Sequence, residues 1–228
     1  MLHRTKTRDT LETLTRRTFL KGVGAATLAA AAGPGLPAPS TAADPPPDPA
    51  SAESREAMFY TPLPDGRVQC NLCPWQCEVP PGGRGKCRVR ENRAGKYHTL
   101  VHSRPVASHA DPIEKKPFFH VLPGTRAYSI ATVGCNFDCK FCQNHDISQT
   151  NPDRVLPPEM PPARVAANAI AAKCRTVAYT YSEPIVFYEY MHDCALAARD
   201  AGLGNVMVSN GFINEAPLRK LLPLLTAV

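Results

Sequence analysis

"YSIATVGCNFDCKFCQN" (Tyr128–Asn144) decides how this chain is read. Its first seven residues form a short apolar run closed by Gly134, the signature of a buried strand. The rest places Cys135, Cys139 and Cys142 in a C-x3-C-x2-C pattern, a spacing that suits metal chelation better than a disulfide framework in a chain of 228 residues. The first of these cysteines directly follows the glycine that ends the strand. In parallel α/β folds the carboxyl ends of strands are where sites assemble. No fourth cysteine follows nearby, although iron–sulfur cubes and tetrahedral structural zinc usually take four thiolates. Three thiolates can hold three irons of a 4Fe–4S cube and leave the fourth iron open to a small chelate. The competing reading is a structural zinc knuckle that borrows a distant ligand.

The pattern downstream alternates. "PPARVAANAIAAKC" predicts a helix from about Pro162 to Lys173, and "TVAYTY" (Thr176–Tyr181) is β-branched and aromatic, hence a strand. Pro184 to Gly202 predicts a helix with Phe187, Met191, Cys194 and Ala198 on one apolar stripe, which makes Cys194 a core residue. "NVMVSN" is the next strand, and Asn214 to about Leu225 the next helix. Strand and helix in strict alternation predict an α/β fold with parallel pairing through right-handed crossovers. Three βα units fit between residues 128 and 228, whereas a closed eight-unit barrel needs about 200 residues or more. The expectation is a partial, C-terminally truncated (βα) barrel, with a fourth strand starting near Val228.

Upstream, residues 58–127 read as a small, loop-rich module with a Pro-Asp-Gly turn at Pro64–Gly66 and a short extended run, Arg67 to Cys70. Cys70, Cys73, Cys77 and Cys87 supply four ligands, enough to close a second metal site, either zinc or an auxiliary iron–sulfur cluster. Spacing does not choose between them, and a pair of disulfides or free thiols is the bland alternative. Cys174 ends a helix without an evident partner. Asp111 to His120 is a mixed, proline-bounded segment that packing of Phe118 and Phe119 would explain.

Residues 1–43 have the order of a cleavable leader: basic residues, the Arg16–Arg17 pair shortly before Phe19-Leu20, a weakly apolar stretch from Gly22 to Ala32, and small residues at Thr41, Ala42 and Ala43. The apolar stretch is too short to span a bilayer as a mature helix. Paired arginines point to the twin-arginine route, with export to the periplasm or cell envelope as the expected localisation. A basic N-terminus on a cytoplasmic protein is the alternative. Residues 44–57 are a Pro-rich linker. The formal net charge is +6, and residues 1 to 21 carry +4 of it, so no broad basic surface predicts a nucleic-acid partner.

Five stretches carry a resemblance: "CNLCPWQCEVPPGGRGKCRVREN" (Cys70–Asn92), "DPIEKKPFFHVLPG" (Asp111–Gly124), "TVGCNFDCKFCQN" (Thr132–Asn144), "AYTYSEP" (Ala178–Pro184) and "SNGF" (Ser209–Phe212). From about Met58 to its end the chain resembles the radical S-adenosylmethionine (SAM) superfamily. More narrowly, it resembles the pyruvate formate-lyase-activating-enzyme-like branch, the radical SAM member of the AmmeMemoRadiSam system. The resemblance implies a partial radical SAM barrel, a 4Fe–4S cluster on Cys135, Cys139 and Cys142, and SAM chelating the open iron. It implies reductive cleavage of SAM to a 5′-deoxyadenosyl radical that abstracts hydrogen, in glycyl-radical activation or in modification of a protein. An electron donor such as flavodoxin or ferredoxin, and a protein or small-molecule substrate, are the implied partners. By position in the family's motifs, Phe141 would lie against the adenine, Glu183 would accept the methionine ammonium, and Asn210 would serve the ribose or carboxylate. Tyr181-Ser182 stand where relatives have two glycines. Ser182-Glu183-Pro184 is also a good helix start, and Asn210-Gly211 a common turn. The runner-up function is a non-catalytic iron–sulfur or zinc-binding module.

Overall fold

Alternating burial ends where the chain must cross a core, and Ala127 to Ala131 are buried without interruption. They belong to the central strand of a four-stranded mixed sheet in the computed structural model, which describes residues 54–228. The leader and most of the linker expected from the sequence lie outside the described residues. In chain order the strands are β1 (Arg55–Glu56), β2 (Tyr60–Pro62), β3 (Val68–Cys70), β4 (Glu78–Val79), β5 (Arg90–Arg93), β6 (Lys96–Thr99), β7 (Ala107–Pro112), β8 (Arg126–Ala131), β9 (Thr176–Tyr179) and β10 (Gly204–Met207). The helices are α1 (His145–Ser148), α2 (Pro162–Ala171), α3 (Tyr188–Asp200) and α4 (Glu215–Leu221).

The large sheet has the order β10-β9-β8-β7. β8, β9 and β10 run parallel, with Ile130 opposite Tyr179 and Tyr179 opposite Met207. Each is followed by helix, so three βα units form a partial barrel, as the alternation predicts. Shared direction and register bring the segments after Ala131, Tyr179 and Met207 to one edge of the sheet. At the outer edge Ala227 makes a parallel bridge to Val206, where the sequence placed the start of a further strand.

The fourth strand is a finding. β7 pairs antiparallel with β8 from Ala107–Ala131 to Pro112–Arg126. It lies on the module side of the 127/128 boundary drawn from sequence, yet belongs to the barrel's sheet. None of its six residues is fully buried, so it has no apolar signature of an interior strand.

The module builds two three-stranded antiparallel sheets, β2-β3-β4 and β1-β6-β5, the second completed by β1 from the end of the expected linker. Its core is not separate. Val68, Leu72, Val89 and Tyr97 share one apolar cluster with Ile130, Tyr179, Phe187 and Met191. A buried ion pair bolts the two parts: the Arg90 guanidinium donates to both carboxylate oxygens of Glu189 at 2.8 and 2.9 Å. The stripe expected on the helix after Pro184 is fully buried at Phe187, Met191, Cys194 and Ala198. Its first turn is 3-10 helix (Pro184–Phe187) before α3 begins. Among the described residues, no helix is long and apolar enough to cross a membrane.

Candidate active site

The three parallel strand ends open onto a cavity of about 740 Å³. Cys135, Cys139 and Cys142 line it from the loop after β8, Glu183 from the turn after β9, and Asn210 from the loop after β10. Cys135 and Cys142 are half-buried, and Cys139 is exposed. The loop is anchored by Gly134, whose φ is +92° and whose backbone N–H donates to the Ile147 carbonyl at 2.9 Å. A Cβ there would stand 2.5 Å from Val89 Cγ1 and 2.7 Å from the Cys87 carbonyl oxygen, so only glycine fits both the dihedral and the space.

The sulfurs already have polar company. Phe137 N–H donates to Cys135 Sγ at 3.4 Å, and Ser148 Oγ lies 3.4 Å from Cys142 Sγ. Burial pushes the Cys135 thiol up, with the Glu183 charge adding to it. Donors to sulfur of this kind stabilise metal-bound thiolates. Among the described residues no three His, Cys, Asp or Glu side chains already stand together as a finished metal cage. The donor set and the room beside it nevertheless fit a cubane with one open corner: three thiols share one wall of a cavity far larger than a single ion.

Glu183 is buried and carries three internal hydrogen bonds. Its carboxylate accepts from Ile185 N–H at 3.0 Å, Ser209 Oγ at 2.7 Å and Asn210 N–H at 2.8 Å. It is therefore the cap of the following helical turn, a place the sequence reading gave to the Ser182–Pro184 start in general. It also ties the second strand's end to the third's. Burial pushes its carboxyl up, and the three donors pull it back. A carboxylate has about four lone-pair sites, so some acceptor capacity remains, and Glu183 lines the cavity. Asn210 uses about half of its side-chain capacity. Its Nδ2 donates to Asn136 Oδ1 at 2.8 Å, and its Oδ1 accepts from Phe212 N–H at 2.9 Å. Phe141, expected against the adenine, is 90% exposed and does not line the cavity. The aromatic wall on the loop is Phe137 instead.

Two sets of residues were missed. Asn136, buried within the cysteine loop, bonds to Asn210 and Phe212 of the SNGF loop, and its carbonyl accepts from Trp75 Nε1–H at 2.9 Å. The second set comes from the DPIEKKPFFH segment, which supplies more than aromatic packing. Lys116 Nζ donates to Asp111 Oδ2 and to the Tyr181 hydroxyl at 2.8 Å each, and Tyr181 donates to Asp111 Oδ2 at 2.6 Å. Lys115, Lys116 and Tyr181 line the same cavity. Tyr181 has a left-handed backbone at φ +69°. Asn144 Nδ2 donates to its carbonyl at 2.8 Å, which joins this wall to the cysteine loop.

Cys70, Cys73, Cys77 and Cys87 do not reach this cavity. They line a separate, much smaller one, which Asn136, Ile185 and Val186 of the barrel segment also border.

A partial parallel barrel with a three-cysteine loop at its first strand end defines a class, and the match agrees: residues 129–227 match the Radical SAM superfamily, so this segment is a radical SAM domain. The chain is 45% identical over 167 residues to an uncharacterized protein of Methanocaldococcus jannaschii, an alignment covering 73% of this chain and 50% of that protein. The chain thus spans about half the length of that relative.

Proposed function

We propose that the protein is a radical SAM enzyme that holds a 4Fe–4S cluster on Cys135, Cys139 and Cys142 and SAM in the adjoining cavity. One observation carries the reading. Three parallel strand ends deliver the cysteine loop, Glu183 and Asn210 to a single cavity of about 740 Å³. Membership of residues 129–227 in the superfamily implies the cluster, SAM and an enzyme. When bound, the cluster supplies the electron that splits a C–S bond of SAM and yields a 5′-deoxyadenosyl radical.

The chain's own residues bind and orient. Glu183 offers its remaining acceptor site to the methionine ammonium, whose charge offsets the burial of the carboxylate. Asn210 holds the loop after β10 in shape through Asn136 and Phe212 and keeps one N–H and one lone pair for a ribose or carboxylate. Phe141 reaches an adenine only by turning inward from its exposed position. Hydrogen abstraction from a glycyl-radical partner or from another protein, with flavodoxin or ferredoxin as electron donor, follows the pyruvate formate-lyase-activating-enzyme-like branch. A second metal, zinc or an auxiliary iron–sulfur cluster, at Cys70, Cys73, Cys77 and Cys87 belongs to the same proposal. So does export by the twin-arginine route, which N-terminal sequencing of the fractionated protein tests.

Anaerobically reconstituted protein, reduced and mixed with SAM, is expected to release 5′-deoxyadenosine, and Cys142→Ala to release none. Absence of 5′-deoxyadenosine from cluster-loaded wild-type protein would leave the non-catalytic module as the correct reading.

A further inference from the structure

The cysteines of the module come from three segments and border one cavity, although among the described residues their side chains do not yet stand together as a metal cage. Cys70 ends β3, Cys73 and Cys77 sit in the turn that follows, and Cys87 precedes β5. Cys70 N–H donates to the Cys77 carbonyl at 2.9 Å, and Gln76 N–H to the Cys73 carbonyl at 3.1 Å, which folds the first three back on one another. All four line one cavity of about 20 Å³. That is about the space of one water-sized sphere.

Two buried donors at the wall of this cavity have no partner among the described residues: Arg90 Nε and the Tyr97 hydroxyl. The other guanidinium nitrogens are taken, by both Glu189 oxygens and by the Met58 carbonyl. Tyr97 is fully buried. A Cβ built on Gly85 would lie 2.6 Å from its hydroxyl oxygen and 3.9 Å from Cys77 Sγ. The hydroxyl therefore stands near that thiol, in space that only a glycine leaves. Native interiors rarely strand polar groups, and each such group asks for an explanation. An Arg Nε–H only donates, a neutral thiol is a weak acceptor, and a metal-bound thiolate is an anionic one. Unused donors around four cysteines are the outer shell that thiolates require.

We propose that Cys70, Cys73, Cys77 and Cys87 hold one tetrahedral divalent ion of the zinc class, with Arg90 and Tyr97 donating to its thiolates. This rests on reading these cysteines as a second metal site, and it separates the two chemistries that spacing left open. A single ion fits the space once the thiols turn inward. A cube of four irons and four sulfides would need the module to open. A pair of disulfides would leave both donors facing neutral sulfur. With four protein ligands and no open position, the ion is structural. Its cavity is also walled by Asn136 and Ile185, neighbours of Cys135 and Glu183, so the ion fastens the module to both strand-end loops of the radical SAM site.

The full chain carrying Cys135→Ala, Cys139→Ala and Cys142→Ala, expressed with iron and zinc both supplied and purified anaerobically, isolates this site. Elemental analysis is expected to find one zinc and no stoichiometric iron per chain, with zinc lost on adding Cys70→Ser and Cys87→Ser. Wild-type protein, counted for zinc separately from iron, gives the same one zinc if the triple variant fails to fold. Tyr97→Phe should keep the zinc but weaken it roughly tenfold in competition with a chromophoric chelator. Iron and sulfide in cluster stoichiometry at these cysteines would overturn the single ion and leave a second metal standing. Four thiols or two disulfides without any metal would overturn both. Zinc affinity unchanged by Tyr97→Phe would remove the hydroxyl from its assigned role.

Discussion

Asp111 shows what a single residue in this site costs and contributes. Burial opposes its charge, but hydrogen bonds from Lys116, Tyr181 and Lys115 outweigh it and hold the carboxyl well below the usual carboxylate range. A depressed folded value means the unfolded chain binds the proton more readily. The contribution is present above the unfolded value, about pH 4, and is lost as pH falls toward the folded one. Asp111→Asn also leaves the 2%-exposed Lys116 ammonium without its counter-charge. The expected loss at neutral pH is about 1–3 kcal/mol, reduced from a fully buried pair by the partial exposure of the cluster. Urea unfolding across a pH series should show the gap between wild type and variant narrowing below about pH 4. A gap of constant size into acid would contradict the ion pair. None of this was legible in the sequence. Asp111 and Tyr181 are 70 positions apart, and only the β7-β8-β9 order brings them together.

At the scale of elements, the cysteine loop depends on a glycine that faces the module. Gly134→Ala meets a forbidding dihedral and two immovable neighbours, Val89 and the backbone of Cys87. Strain at such a position is of order 1–3 kcal/mol before the clash is counted. The variant is expected to keep its far-ultraviolet circular dichroism, lose at least about 2 kcal/mol of stability, and take up less iron on reconstitution. Full iron loading at unchanged stability would show that the loop is not pinned there. The elements legible in the sequence are those whose burial is continuous or periodic, β8, β9, β10 and the helices between them, together with the Pro64–Gly66 turn and the extended run that becomes β3. Alternation put the segments after β8, β9 and β10 at one end of the sheet, and the resemblance singled out Glu183 and Asn210 within them. The module's strands are two to four residues long, too short for periodicity to register, and β7 exposes polar side chains at an edge. Phe141 was placed by motif position, and a motif does not set a side chain's direction on an exposed loop. Asn136 and Arg90 are polar residues buried by distant partners, a property that local pattern cannot carry.

For the whole molecule, the question is whether the cysteine-rich module and the barrel segment are one cooperative unit. Their apolar side chains form one cluster, and the Arg90–Glu189 pair crosses between them with both side chains at most 1% exposed. Unfolding either part alone would leave the other with an uncompensated buried charge, at about 3–5 kcal/mol. The chain's single tryptophan reports on this junction. Trp75 comes from the module, donates to the Asn136 carbonyl, and packs edge-on against Phe212 of the loop after β10 at 5.8 Å. Its emission therefore follows contact between the two parts, whereas far-ultraviolet circular dichroism is dominated by the helices of the barrel segment. One cooperative unit requires both probes to trace the same urea transition. Coincident midpoints are expected in the wild type, with both moved together to lower urea by Glu189→Ala. A tryptophan transition that precedes the loss of helix would mean the module detaches first, and the radical SAM site would then owe its loop geometry to the barrel alone.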